Sequence, residues 1–197
     1  MNSLLMNIST ALIFLSLGTG VSALITQKLT WRWMCVAVVI ILSLLIPVMD
    51  GNPWLWMNGA TGELSITSLM LLTSFILQRL TGTGFLSGST RRQLYFLILL
   101  AGFLLYPATL GLTQFDPYVF GYSFELSLLL LSLAVLYWIE RKRQVSVILL
   151  IVVAAGVVNI SSSQNTWDYF IDPLLWLFSP VLLVLCLKNK QRTTIFS

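Results

Sequence analysis

Long apolar runs alternate with short polar breaks along the whole chain. Seven runs stand out, at about 4–25, 32–49, 62–80, 93–112, 119–139, 145–160 and 170–187. Within each run the apolar positions are continuous rather than alternating, which does not fit the period-two pattern of barrel strands. A bilayer core about 30 Å thick needs about 20 apolar residues in helical form, because the backbone must satisfy its own hydrogen bonds there. The pattern therefore predicts an all-α, polytopic membrane protein, with residues 1–197 forming one bundle of seven transmembrane helices. The sixth run is short and the seventh contains Pro180. Neither disqualifies a span, since bilayers accommodate short segments and bundles tolerate proline.

Charge placement tests these boundaries independently, because hydropathy alone drew them. All eleven Lys and Arg residues fall at 28, 32, 79, 91, 92, 141–143, 188, 190 and 192, at the odd-numbered connections and the C-terminal end. The chain start and the connections 50–61, 113–118 and 161–169 have none. By the positive-inside rule this orients the bundle with its N-terminus out and its C-terminus in. Asp50, Glu63, Asp116, Glu125, Asp168 and Asp172 take the opposite side, and only Glu140 lies inside. Acids barely influence topology, so an acidic outer face calls for a role of its own. All six prolines, at 47, 53, 107, 117, 173 and 180, also fall in outer loops or outer halves of spans. The expectation is a shaped outer cap above plain inner connectors. The first 27 residues carry no Lys or Arg, so the first run is read as a retained helix rather than a cleaved signal.

Composition agrees with the pattern and narrows the chemistry. Only 9% of residues are charged and 57% are hydrophobic, against about 25% charged in a soluble domain. The compact size and minimal inner connections suggest an integral, multi-pass protein of a bacterial inner membrane, with membrane lipids as its surroundings. The net charge of +4 comes from small clusters at run ends, not from a folded basic face, so a nucleic-acid partner is not expected. There is no histidine, which removes bis-His haem, His-ligated zinc and any Ser–His or Cys–His nucleophile pair. No lysine lies within a run, so a retinal Schiff base has no anchor. No cofactor is expected. Cys35 and Cys186 sit inside apolar runs and read as small packing residues rather than a disulfide. The stretch "GTGFLSGSTRR" at 82–92 has a lone G-x-G without a preceding strand or a Gly-Lys-Ser ending, and reads as a polar inner loop.

Candidate chemistry lies in the three outer connections. The first, "DGNPWLWMNGATGE" at 50–63, is rich in turn dipeptides. Its Trp54 and Trp56 fit indoles at headgroup level, and with Asp50 and Glu63 they make a candidate surface for a headgroup, sugar or partner. In the second, Asp116 reads as the cap of the fifth helix, with Pro117 at its first position. Glu125 then lies two turns in, about 10 Å along the axis, as the deepest acid of the chain. Its structural alternative is a bond to Tyr118 or Tyr122. In the third, "NTWDYFIDPLLW" at 165–176, Asp172-Pro173 repeats the cap-plus-proline logic. Capping leaves Asp168, between Trp167 and Tyr169, unexplained, because Pro173 disfavours one helix running through both aspartates.

Three functions fit these residues. The leading one is a non-catalytic membrane subunit or scaffold of the cell envelope, whose acidic, aromatic outer face binds a partner protein, a glycan or a lipid headgroup. The second is a small transporter that receives a cation or cationic solute through Glu125 and the outer aspartates. The third is a carboxylate-metal membrane transferase acting on a lipid-linked substrate. An all-oxygen site would suit magnesium, calcium or manganese, although the outer face offers no cation to hold a phosphate.

Overall fold

The computed structural model describes residues 2–25, 28–46 and 51–195. Its regular elements among these residues are all helical: α1 (Asn2–Ile25), α2 (Leu29–Leu45), α3 (Pro53–Thr61), α4 (Ile66–Thr81), α5 (Gly88–Thr109), a 3-10 turn (Pro117–Gly121), α6 (Phe124–Ile139), α7 (Arg143–Val158), α8 (Thr166–Phe170) and α9 (Pro173–Ile195). The chain divides into two compact units, residues 1–64 with 69–85 and residues 65–68 with 86–197.

In the first unit α1 packs along α2, and α3 lies against both. Gly18 brings the two backbones close; a Cβ there would stand 3.2 Å from Val36 Cα. At one end of the unit Arg32 Nη1 donates to the carbonyl of Arg79 (2.6 Å), so the start of α2 meets the end of α4. At the other end the backbone N–H of Leu64 donates to Ser9 Oγ (3.0 Å), and α3 lies over the start of α1.

In the second unit α5 and α9 run antiparallel. Trp176, in the first turn of α9, meets Phe103 and Tyr106 near the end of α5. Helices α6 and α7 form a hairpin through Glu140, Arg141 and Lys142, with Arg141 in the left-handed region (φ 60°). Glycine is the usual residue in such a place, yet the chain keeps a cation there. Gln144 Oε1 accepts from Ser87 N (3.1 Å) and Thr90 Oγ1 (2.7 Å), which joins the start of α7 to the start of α5. Arg91, Arg92, Arg141, Lys142, Arg143 and Lys188 thus collect at one end of this unit, and the 3-10 turn, α8 and Asp172 build the other.

The all-helical expectation holds. Among the described residues two helices, Leu4–Leu24 and Gly88–Thr109, are long and apolar enough to cross a membrane, and 28% of the most apolar stretch of each is buried. Helices α2, α4, α6 and α7 have 16 or 17 residues, short of the usual 20 or so. Several boundaries also differ from the sequence pattern. The first outer connection contains a helix, α3, where turns were expected. The fifth run is split into a 3-10 turn and α6. The seventh begins at Pro173, after the separate short α8. Cys35 and Cys186 are free and half-buried.

Candidate functional site

The 3-10 turn and α8 are built on each other by polar bonds. Asn165 is fully buried. Its Oδ1 caps α8 by accepting from Trp167 N (2.9 Å), and its Nδ2 donates to the carbonyl of Tyr118 (2.9 Å). Trp167 Nε1 donates to the carbonyl of Pro117 (2.9 Å). Gly121 lies flat against this pair; a Cβ there would overlap the Asn165 side chain and Trp167 Cδ1. Asp168 Oδ2 then accepts from Tyr118 Oη (2.9 Å) and Ser163 Oγ (2.5 Å). Tyr169 Oη donates to the Ser163 carbonyl (2.8 Å) and accepts from Ser161 N (3.2 Å), which pins the loop before α8. Burial, followed by the hydrogen bond to the Asp168 carboxylate and its charge, pushes the Tyr118 phenol above its ordinary pKa.

Asp172 occupies a second junction. Its Oδ1 accepts from Leu175 N (2.8 Å), the cap of α9 expected from Asp172-Pro173. Its Oδ2 accepts from Ser65 N (3.1 Å), Ser65 Oγ (2.8 Å) and Ser68 Oγ (2.5 Å). Ser65 Oγ in turn accepts from Ser68 N (3.2 Å) at the start of α4. One carboxylate, 6% exposed, therefore sits at the N-terminal ends of two helices. Both ends offer unpaired N–H groups and a favourable dipole.

The remaining expected residues divide between structural roles and open surface. Asp116 caps the 3-10 turn through Tyr118 N (2.9 Å), not α6. Ser123, extended at φ −111° and ψ 176°, restarts the chain, so α6 begins at Phe124. Glu125 is therefore in the first turn of α6, exposed, and accepts from the Ser123 hydroxyl. The expectation of a carboxylate two turns deep is overturned, because Gly121, Tyr122 and Ser123 interrupt the helix that would have carried it inward. Trp167 and Asp172 are buried and form no part of a surface.

In the first unit Trp54 stacks on Phe14 (centroids 5.9 Å apart, 10° between planes), and its Nε1 donates to Asn7 Oδ1 (3.3 Å). Asn58 Nδ2 donates to the same oxygen (3.2 Å), and the Thr10 hydroxyl bonds to Asn58 Oδ1. Trp56 is exposed and, with Leu55, Gly51, Gly59 and Ala60, lines an open groove. Glu63 is half-buried between α3 and α4. Asp50 lies outside the described residues.

Sequence reasoning missed Ser65, Ser68, Ser163, Asn165 and Gly121. Asn165 stands just before a helix, where an Asx cap is favoured, and that signal was readable. The serines carried none, because their partner carboxylates are distant along the chain or across a turn.

What stays open in the second unit is an aromatic surface around the 3-10 turn. Phe115, Val119, Phe120, Tyr122 and Phe124 are between 40% and 70% exposed. Asp116 and Glu125 flank them. Phe115 and Phe120 lie 5.6 Å apart, and Tyr122 meets Tyr118 edge-on at 5.6 Å. Among the described residues no three acidic or cysteine side chains gather in a way that could hold a metal ion. The chain matches no protein-family model, no curated protein and no solved structure.

Proposed function

We propose that this is a multi-pass protein of a bacterial inner membrane, with seven membrane helices, N-terminus out and C-terminus in. In this reading it serves as a non-catalytic subunit or scaffold whose outer face docks a partner protein of the cell envelope. Two observations support the membrane part. The helices expose large apolar side chains along their lengths, such as Val38 at 52% in α2 and Phe103 at 61% in α5, which a soluble monomer would avoid. Within each unit, cations gather at the end opposite most of the acids, with Glu140 the exception, as the positive-inside rule requires.

The docking part rests on one observation: the aromatic surface of residues 115–124 is exposed yet held in shape from beneath by Asn165, Trp167 and Asp168. Large rigid aromatics of this kind dominate binding energy at protein interfaces. Asp116 and Glu125 add negative charge without a neighbouring cation along residues 93–140, so the partner should carry Lys or Arg around an apolar patch. The transporter reading loses its deep carboxylate, since Glu125 is exposed. For the transferase reading, Asp116, Asp168 and Asp172 are engaged in structural bonds, and the described residues supply no cluster of ligands.

The test is recovery of the full chain from its own membrane in mild detergent, compared with a Tyr122→Ala/Phe124→Ala variant. Both side chains are exposed, so the fold should survive. One protein should accompany the wild type, fall away with the variant, and weaken at high salt as surface charge is screened. An unchanged set of companions, or capture of a glycan alone, would sink the proposal.

A further inference from the structure

We propose that the cationic end of the second unit is a binding site for the phosphate of an anionic phospholipid. Six cations meet there. Arg91 and Arg92 occupy one turn near the start of α5, and Arg141, Lys142 and Arg143 form the α6–α7 hairpin. Gln144, bonded to both Ser87 and Thr90, holds these two groups side by side. Lys188 joins them because α9 runs antiparallel to α5; twelve residues past Trp176 it has returned about 18 Å toward the start of α5. Glu140 is the one acid at this end among the described residues, and it pairs with Lys142 at 2.5 Å.

The excess positive charge is also positioned for a headgroup. Lys142 Nζ lies 5.4 Å from the centroid of Tyr137, and the Arg143 guanidinium 5.5 Å from that of Trp138. Tyr and Trp rings favour the headgroup level of a bilayer. A guanidinium lying on a ring keeps N–H groups along its edge for a phosphate oxygen. Arg91 and Arg92 are half-buried, so their positions vary less than those of free surface side chains. Clusters of four to eight cations beside membrane helices are attracted to anionic lipid, each contributing about fivefold in affinity. The proposal rests on the membrane reading above and concerns the opposite face from the docking surface.

The test uses the full chain in phosphatidylcholine nanodiscs containing a minor fraction of phosphatidylglycerol, with retained lipids identified by native mass spectrometry. The wild type should enrich phosphatidylglycerol at least about fivefold. Arg91→Gln/Arg92→Gln and, separately, Lys142→Gln/Arg143→Gln should each lower the enrichment at least about fivefold with helicity unchanged. The exposed pair at the α6–α7 hairpin gives the reading if the half-buried α5 pair does not assemble. Parity in the wild type, or enrichment unaltered by the variants, would overturn the proposal. So would displacement of the lipid by millimolar inorganic phosphate, which would assign the site to the free anion. A chain that alkaline carbonate strips from vesicles would instead defeat the membrane reading itself.

Discussion

Asp168 and Asp172 stand four residues apart, share a chemistry and do different work. Asp172 is buried, with both oxygens engaged by four donors from two helix starts. Removing its carboxylate leaves Ser65 N–H and two hydroxyls facing a void, and bonds to a charged acceptor are worth about 1.5–3 kcal/mol each before compensation. Asp172→Ala should therefore cost about 3 kcal/mol, read as a lower midpoint in a denaturing-detergent titration. Asp168 is half-buried, and Asp168→Asn keeps an acceptor for Tyr118, so about 1 kcal/mol is expected. Equal losses at the two sites would refute the distinction. Tyr118 adds a pH signature. Its folded pKa is raised from 10.0, so the stability it contributes is complete below that value and is lost as pH rises toward the folded one. Wild type should consequently lose more stability than Tyr118→Phe between neutral pH and the alkaline end. Matching pH profiles would show that the phenol does not report on the fold.

Three helical segments begin with the same device: Asn52-Pro53 for α3, Asp116-Pro117 for the 3-10 turn and Asp172-Pro173 for α9. In each, the Asx oxygen accepts a backbone N–H and proline takes the position that needs none. The last two were legible from the sequence. The first was equally available, but Asn-Pro and the Asp-Gly and Asn-Gly dipeptides around it read as turns. Asn58-Gly59, one of the turn dipeptides of that connection, lies inside α3 because Asn58 is bonded to Asn7 and Thr10. This contrast gives a paired prediction for glycine. A methyl group on Gly59 would meet nothing within 4 Å, so Gly59→Ala should stabilise α3 by about 0.5–1 kcal/mol. Gly121→Ala would collide with a fully buried Asn165, and should cost about 1–3 kcal/mol. Amide exchange should then speed up across the 3-10 turn and α8 together. Gly121→Ala without loss, or a loss at Gly59, would show that the local packing is wrong.

For the whole molecule, the membrane reading makes a single topological claim. A reporter inserted near Asn58 should respond outside, and one fused after Ser197 should respond inside; the reverse would reassign every outer and inner residue. By itself, the order of residues determined the helical class, the approximate seat of each apolar helix and the sorting of charge to alternate ends. These depend on local periodicity and composition, because each apolar run must hydrogen-bond within itself whatever its neighbours are. Only the tertiary structure decided which carboxylates are used up and which surface is left open. Asp172 meets Ser65 and Ser68 across more than a hundred residues, and Asn165 meets Tyr118 across 47. No local pattern encodes a hydrogen-bond partner at that distance. The depth of Glu125 was decided the same way: Gly121 seats against Asn165 and Trp167, the helix breaks there, and the acid that looked intramembrane remains at the rim.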